Sequence, residues 1–127
     1  MNKDSYAAEQ KGKGGITRII NAFGYSRDGL KAAYRYESAF RQVVWLNGAL
    51  VLLALILDFS LPVRMVLLAV SGLSLIVELF NTAIEAAVDH TSTEKHELAK
   101  RAKDAGSAAQ FVALAVLATV WFAALFG

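Results

Sequence analysis

Three long apolar stretches stand out in the pattern of hydrophobic and polar positions along the chain. A helix needs about 20 residues to cross the hydrocarbon core of a bilayer, and only helices or closed barrels satisfy the backbone there. The second and third stretches are long enough, whereas the first must include flanking residues such as Gln42 or Phe59. The pattern predicts an all-α integral membrane protein with three transmembrane helices, at about residues 41–59, 63–88 and 105–126.

Polar and helix-breaking residues indicate where these helices begin and end. Pro62 suits the first turn of the second transmembrane helix, which leaves Asp58 to Leu61 as a tight turn. The run from Thr91 to Glu94 has the residues of a capping box, so a helix is predicted to begin there and to continue to the C-terminus. Its first part, up to Asp104, is too charged for lipid and must project into water.

The segment before the first transmembrane helix has a different character. Residues 1–15 are polar and are interpreted as a flexible arm in front of a single membrane domain at 16–127. The run from Ser26 to Asp28 offers a cap for a helix at about 28–40. An apolar stripe beside basic residues is typical of an amphipathic helix on the membrane surface. The stripe consists of Leu30, Ala33 and Tyr34.

Composition and charge support this membrane interpretation and indicate an orientation. Hydrophobic residues make up 56% of the 127 residues, and cysteine is absent, which excludes disulfides and Cys-based metal sites. Eight Lys or Arg lie up to residue 41, four lie in the second connection, and none follows the third transmembrane helix. Because positive residues stay on the cytoplasmic side, we expect a cytoplasmic N-terminus and an outside C-terminus.

The second transmembrane helix carries three polar residues within an apolar sequence. Glu78, Asn81 and Glu85 are three and four residues apart, so they project from one face. A charged residue at mid-helix costs about 2.5–3.5 kcal/mol on insertion scales. This cost favours a functional role over the structural alternative, in which the Glu residues stay protonated and Asn81 only forms a hydrogen bond between helices. A carboxylate near water can hold Mg²⁺ together with substrate phosphates, whereas the deeper Glu78 can accept a proton.

Acidic and basic residues near the predicted ends of the helices are open to two interpretations. Lys103, beside Asp104, could contact a phosphate as a point charge. The same region also suits solvated salt bridges, such as Lys100 with Asp104 at i,i+4. Glu37, in the predicted surface helix, would join Glu85 around one cation if that helix packed against the inner end of the second transmembrane helix.

Other residues receive a structural interpretation. Trp45 and Trp121 lie near opposite ends of their helices and are expected to be interfacial anchors. His90 and His96 flank the second connection, where no zinc-ligand spacing accompanies them. Small residues that repeat every four positions predict close helix contacts, either within one chain or between chains. They are Ala83 and Ala87, and then Ala105, Ala109 and Ala113.

Three segments carry a resemblance to a known family. They are TRIINAFGYSRDGLKAAYRYESAFRQ at 17–42, ELFNTAIEAAVDH at 78–90 and HELAKRAKDAGSAAQ at 96–110. Together they resemble the prokaryotic diacylglycerol kinase family over about residues 16–127. The resemblance implies a homotrimeric kinase of the bacterial inner membrane, with a surface helix and three membrane helices. Such a kinase transfers the γ-phosphate of ATP to diacylglycerol with Mg²⁺, and no nucleic-acid partner is expected.

The resemblance also implies roles for single residues. Glu78 would accept the proton of the lipid hydroxyl with Asn81 in support, and Glu37 and Glu85 would bind Mg²⁺ with the nucleotide phosphates. The other residues expected to contact ATP are Arg18, Tyr25, Glu94, Lys95, His96, Lys103 and Asp104. Those expected near the lipid, besides Glu78, are Ser26, Gln42, Ser107 and Trp121.

The chain departs from the family's usual pattern at Arg27, Val43 and Lys95, where Trp, Glu and Tyr are common. The first two bear on lipid preference and the third on how the adenine is held. Undecaprenol kinase is the nearest alternative, although the GYS and AFRQ pattern favours diacylglycerol. A proton-coupled transporter of the small multidrug type would consume no ATP, and a purely structural membrane subunit would tolerate Glu78→Gln.

Overall fold

A computed structural model describes residues 14–91 and 96–127. The described residues form four helices, α1 (Gly15–Tyr36), α2 (Ser38–Ile56), α3 (Leu61–Thr91) and α4 (Glu97–Phe126). The chain divides into two compact units, Met1–Ala32 and Ala33–Gly127, of which the second contains α2, α3 and α4.

Helices α2, α3 and α4 are each long and apolar enough to cross a membrane. The prediction of an all-α membrane protein with three spans is therefore confirmed. The observed bounds differ from the predicted ranges, since α2 begins at Ser38 and ends at Ile56, before Phe59, whereas α3 continues to Thr91. Helical hydrogen bonds can continue into water once apolar residues end, so a hydropathy pattern places the span and not the helix end.

The predicted surface helix exists, but its bounds were wrong. It was expected at about 28–40, whereas α1 runs Gly15–Tyr36 and contains the supposed cap at Ser26 to Asp28 in its interior. Glu37 is not part of it, because that residue has extended backbone (φ −115°, ψ 107°) and lies just before α2. Capping residues favour a helix start only weakly, and neighbouring residues that support helix override them.

An arginine side chain closes the end of α1. The Arg41 guanidinium donates hydrogen bonds to the carbonyl oxygens of Tyr34 at 2.7 Å and Arg35 at 3.0 Å. These carbonyls belong to the last turn of α1, where no intrahelical donor is available. Arg41 therefore stabilises the break between α1 and α2, where Glu37 lies.

The connection between α2 and α3 is the tight turn that Pro62 predicts, and a second arginine holds it. Arg64 donates from Nε to the Ala54 carbonyl oxygen at 2.9 Å and from a terminal nitrogen to that of Leu57 at 3.1 Å. The side chain of an α3 residue thus satisfies carbonyl groups at the C-terminal end of α2. This connection brings the two helices together as neighbours.

The apolar core of the second unit lies near this turn. Ala54, Leu67, Leu117 and Trp121 form a buried cluster drawn from all three helices. The Trp121 ring meets the Phe59 ring edge-on, with centroids 5.9 Å apart. Trp121 is only 7% exposed, so its prediction as an outward-facing interfacial anchor was wrong. Trp45 is 71% exposed and faces outward as expected.

Within this chain, helix α4 buries only one residue of the predicted alanine stripe. Ala105 and Ala109 are exposed, as are Ala83 and Ala87 on α3, while Ala113 alone of the set is buried. The residues that α4 buries follow a different line, which consists of Gly106, Gln110, Ala113, Leu117 and Trp121. Small residues occur on several faces of α4, so their spacing did not identify the face that packs.

The start of α4 also differs from the prediction. Thr91 is the last residue of α3, and its hydroxyl donates to the Ala87 carbonyl oxygen at 2.7 Å. It therefore does not cap α4, which begins at Glu97 after His96. The remaining residues of the predicted capping box, Ser92, Thr93 and Glu94, lie outside the described residues, as does Lys95. From Glu97 the helix continues without a break to Phe126, as expected.

Candidate active site

Glu78 is a carboxylate buried inside the three-helix unit. It lies midway along α3 and is 4% exposed. Two other carboxylates, those of Glu85 and Glu37, are close enough to interact electrostatically with it, and so is the amide of Gln110. The Glu78 carboxylate thus faces the interior of the protein and not lipid, which offers no partner for a carboxylate.

Asn81 and Glu85 continue the polar face towards the end of α3. Both are half-buried, and the Asn81 amide nitrogen lies 3.4 Å from a carboxylate oxygen of Glu85. Asn81 also marks the closest approach of α4, because a Cβ atom at Gly106 would collide with the Asn81 amide oxygen. That oxygen is buried and has no hydrogen-bond partner in the described part of the chain.

Glu37 and Glu85 are the residues predicted to hold Mg²⁺. Both carboxylates act electrostatically on Glu78, and both residues are half-buried. Among residues 14–91 and 96–127, no group of three or more His, Asp or Glu side chains is arranged to hold a metal. A pair of carboxylates nevertheless has the chemistry that Mg²⁺ uses when substrate phosphates complete its ligands, so the donor set fits a nucleotide-bound ion.

Lys103 meets an acidic partner from the other helix. Its ammonium group lies 2.9 Å from the Asp89 carboxylate, which joins the polar ends of α3 and α4. The predicted pair of Lys100 with Asp104 is confirmed at 2.6 Å and is well exposed. The two lysines therefore differ, since Lys103 links two helices next to Glu85 whereas Lys100 lies on an exposed face.

The remaining site candidates are spread more widely. Gln42 on α2 and Ser107 on α4 are exposed, and His96 lies just before α4. Trp121 lies 14 residues after Ser107, about 21 Å along the helix, so the structure does not bring these two together. Three further candidates belong to α1 in the first unit, where all are exposed: Arg18, Tyr25 and Ser26.

The chain is similar to known proteins over most of its length. The family model for prokaryotic diacylglycerol kinase matches residues 24–125. A diacylglycerol kinase of Pseudomonas aeruginosa is 55% identical over 117 residues, which cover 92% of this chain and 95% of that protein. One from Escherichia coli is 48% identical over 84% of this chain and 88% of its own, and one from Haemophilus influenzae is 41% identical over 88% and 95%.

The chain belongs to the prokaryotic diacylglycerol kinase family. The resemblance carried by the three quoted segments is thereby confirmed. Every site candidate except Arg18 falls inside the range that the family model matches. Glu94 and Lys95 are inside that range but outside the described residues.

Sequence reasoning missed a second group of buried polar residues. The Asn47 amide nitrogen donates to the Ser74 hydroxyl at 2.7 Å, and the Ser71 hydroxyl donates to the Asn47 amide oxygen. The Gln110 amide nitrogen donates to the Ser74 carbonyl oxygen at 3.2 Å. A signal was available, because Ser71 and Ser74 lie seven and four residues before Glu78 and so extend its polar face.

Proposed function

We propose that this chain is a lipid kinase that transfers the γ-phosphate of ATP to the free hydroxyl of diacylglycerol and forms phosphatidic acid. The observation that carries the proposal is a carboxylate, that of Glu78, buried in a membrane-spanning helix with two more carboxylates within electrostatic reach. Membership of the prokaryotic diacylglycerol kinase family supports the choice of lipid.

Glu78 has the features of a general base for this reaction. A carboxylate in an apolar membrane helix costs a few kcal/mol. Such residues are rare in membrane spans, and those that occur usually have a function. The hydroxyl of diacylglycerol lies at the boundary between the acyl chains and water, so it can approach a base within the span. Transfer of the hydroxyl proton to the Glu78 carboxylate would accompany attack of the oxygen on the γ-phosphorus. The bond from the γ-phosphorus to the bridging oxygen would break at the same time, and ADP would leave.

The more polar end of the same helix is suited to the nucleotide. Glu37 and Glu85 would hold Mg²⁺ together with the ATP phosphates, and the ion would neutralise phosphate charge. Lys103 would contribute a positive charge beside them, and it would pair with Asp89 when no nucleotide is bound. The assignments of Arg18, Tyr25, Glu94, Lys95, His96 and Asp104 to ATP, and of Ser26, Gln42, Ser107 and Trp121 to the lipid, remain predictions from the resemblance.

We further propose a homotrimer in the bacterial inner membrane, with the N-terminus in the cytoplasm. The charge distribution supports this orientation, because eight Lys or Arg lie up to residue 41 and none follows α4. It also puts the polar ends of α3 and α4, where ATP would bind, on the cytoplasmic side. The homotrimer is the assembly that the resemblance to the family implies.

The test is transfer of labelled phosphate from MgATP to diacylglycerol, with undecaprenol offered in parallel, in detergent micelles. We expect phosphatidic acid from the wild type, and a loss of about 10²–10⁴-fold in turnover for Glu78→Gln. Glu97→Gln is the matched control, because Glu97 is an exposed carboxylate on α4; it should retain wild-type turnover. No product from diacylglycerol would disprove the proposed activity, and an active Glu78→Gln variant would disprove the assignment of the base.

A further inference from the structure

Gln110 is a buried side-chain amide within the apolar part of α4. It is 7% exposed and faces α3 among the residues that α4 buries. No role has been assigned to it so far, either by the sequence pattern or by the proposed reaction. A buried amide in a membrane helix is unfavourable unless its donors and acceptor find partners, so its contacts need an explanation.

The contacts of Gln110 lead to Glu78. Its amide nitrogen donates to the Ser74 carbonyl oxygen at 3.2 Å, and Ser74 lies one helical turn before Glu78 on the same face of α3. The Gln110 amide is also close enough to the Glu78 carboxylate to act on it electrostatically. An amide nitrogen has two hydrogens, so one can bond to Ser74 while the other is directed at the carboxylate.

The acceptor end of the same amide has no assigned use. The Gln110 amide oxygen is buried and has no hydrogen-bond partner among residues 14–91 and 96–127. A buried acceptor that lacks a donor carries a cost of its own. Glu78 would offer a donor if its carboxylate took up a proton, because a carboxylic acid has one O–H group whereas a carboxylate has none.

We infer that Gln110 is a positioning residue that holds Glu78 in both of its protonation states. Before transfer, the amide N–H donates to the carboxylate and orients it. After the lipid hydroxyl has given up its proton, the amide oxygen accepts a hydrogen bond from the Glu78 acid. This inference rests on the role proposed for Glu78 as the base.

Gln110 and Asn47 both bond to Ser74 but at different atoms. Gln110 donates to its backbone carbonyl oxygen, which α3 itself holds in place. Asn47 instead bonds to the hydroxyls of Ser71 and Ser74, and to the Val43 carbonyl oxygen at 3.0 Å. Among the described residues Asn47 forms no hydrogen bond with Glu78, so it serves as a comparison for Gln110.

The test compares Gln110→Met with Asn47→Leu, because each removes a buried amide and retains an apolar side chain of similar length. Gln110→Met should lower kcat about tenfold to a hundredfold, the size expected when a reacting group is misplaced, with the KM values for MgATP and diacylglycerol unchanged. Asn47→Leu should lower the thermal midpoint and leave kcat close to that of the wild type. Equal losses of kcat in the two variants, or a wild-type kcat in Gln110→Met, would overturn the inference.

A second readout does not depend on kinase activity. A hydrophobic carbodiimide modifies buried carboxyl groups, and mass spectrometry reports its reaction at Glu78. Without the amide beside it, Glu78 should react about threefold faster in Gln110→Met, which is the factor that corresponds to a typical side-chain hydrogen bond in a membrane protein. Asn47→Leu should react at the wild-type rate. A wild-type labelling rate in Gln110→Met would show that Gln110 does not contact Glu78, and the inference would fail. Faster labelling of this variant, in a protein that shows no kinase activity, would disprove only the proposed function.

Discussion

Gly106 lies where α4 comes closest to the polar face of α3, and its replacement by alanine tests that contact. A Cβ atom at this position would overlap the Asn81 amide oxygen and would lie 3.4 Å from Cγ of Asn81 and 3.6 Å from Cδ1 of Ile84. The overlap involves the far end of a side chain, so α4 can keep its place if Asn81 moves. Asn81 would then leave its position 3.4 Å from the Glu85 carboxylate.

The size of the effect follows from two opposing terms. Overpacking in a buried contact costs about 1–3 kcal/mol, while alanine is more favourable than glycine inside a helix by about 1 kcal/mol. The free energy of unfolding should therefore fall by at most about 2 kcal/mol. The loss of turnover should be larger than a loss of stability of this size would cause. Glu85, the proposed Mg²⁺ ligand, would lose its contact with Asn81 and become less well oriented.

The assay for Gly106→Ala is phosphate transfer at a series of Mg²⁺ concentrations, together with thermal unfolding in detergent. We expect a higher Mg²⁺ requirement and lower turnover in a chain that still folds. Gly72→Ala is the matched control, because a Cβ atom at Gly72 would meet nothing within 4 Å, and it should be neutral or stabilising. Wild-type Mg²⁺ dependence and turnover in Gly106→Ala would refute the view that this close approach positions Asn81 and Glu85.

Three further predictions follow from single contacts. Glu85→Ala should raise the Mg²⁺ concentration needed for half-maximal turnover, and an unchanged Mg²⁺ titration would count against Glu85 as a ligand. Lys103→Met should raise the KM for MgATP, whereas Lys100→Met, which breaks only an exposed pair, should not; equal effects on KM would contradict the distinction. Arg64→Met removes the side-chain donor from the Ala54 and Leu57 carbonyl oxygens, although that of Leu57 still accepts from the Phe59 backbone N–H. The free energy of unfolding should fall by about 1–2 kcal/mol, measured by denaturation in mixed micelles with turnover as the control.

The features that sequence reasoning predicted well are those set by local chemistry. Apolar length alone identifies helices that can cross a bilayer, and α2, α3 and α4 are such helices. The inward position of Glu78 was predictable for a similar reason, because a carboxylate in a span has no partner in lipid. Pro62 likewise marked the start of α3, since proline is tolerated in the first turn of a helix and little elsewhere.

Helix ends were predicted less well, because several local signals compete there. Ser26 to Asp28 has the composition of a cap, yet α1 passes through it and ends before Glu37. The hydrogen bonds that accompany this end come from Arg41, in the following helix. A capping interaction supplied by a side chain several residues further along leaves no mark on the local pattern.

The sequence by itself determined the number of spans, the polar face of α3 and the family to which the chain belongs. Tertiary structure alone decided that Gly106 and Gln110, and not the alanine stripe, meet α3, and that Lys103 pairs with Asp89. The physical reason is that a membrane helix is apolar on the face that meets lipid as well as on the face that meets protein. Hydrophobic periodicity, which identifies the buried side of a helix in a soluble protein, therefore does not distinguish the two faces here.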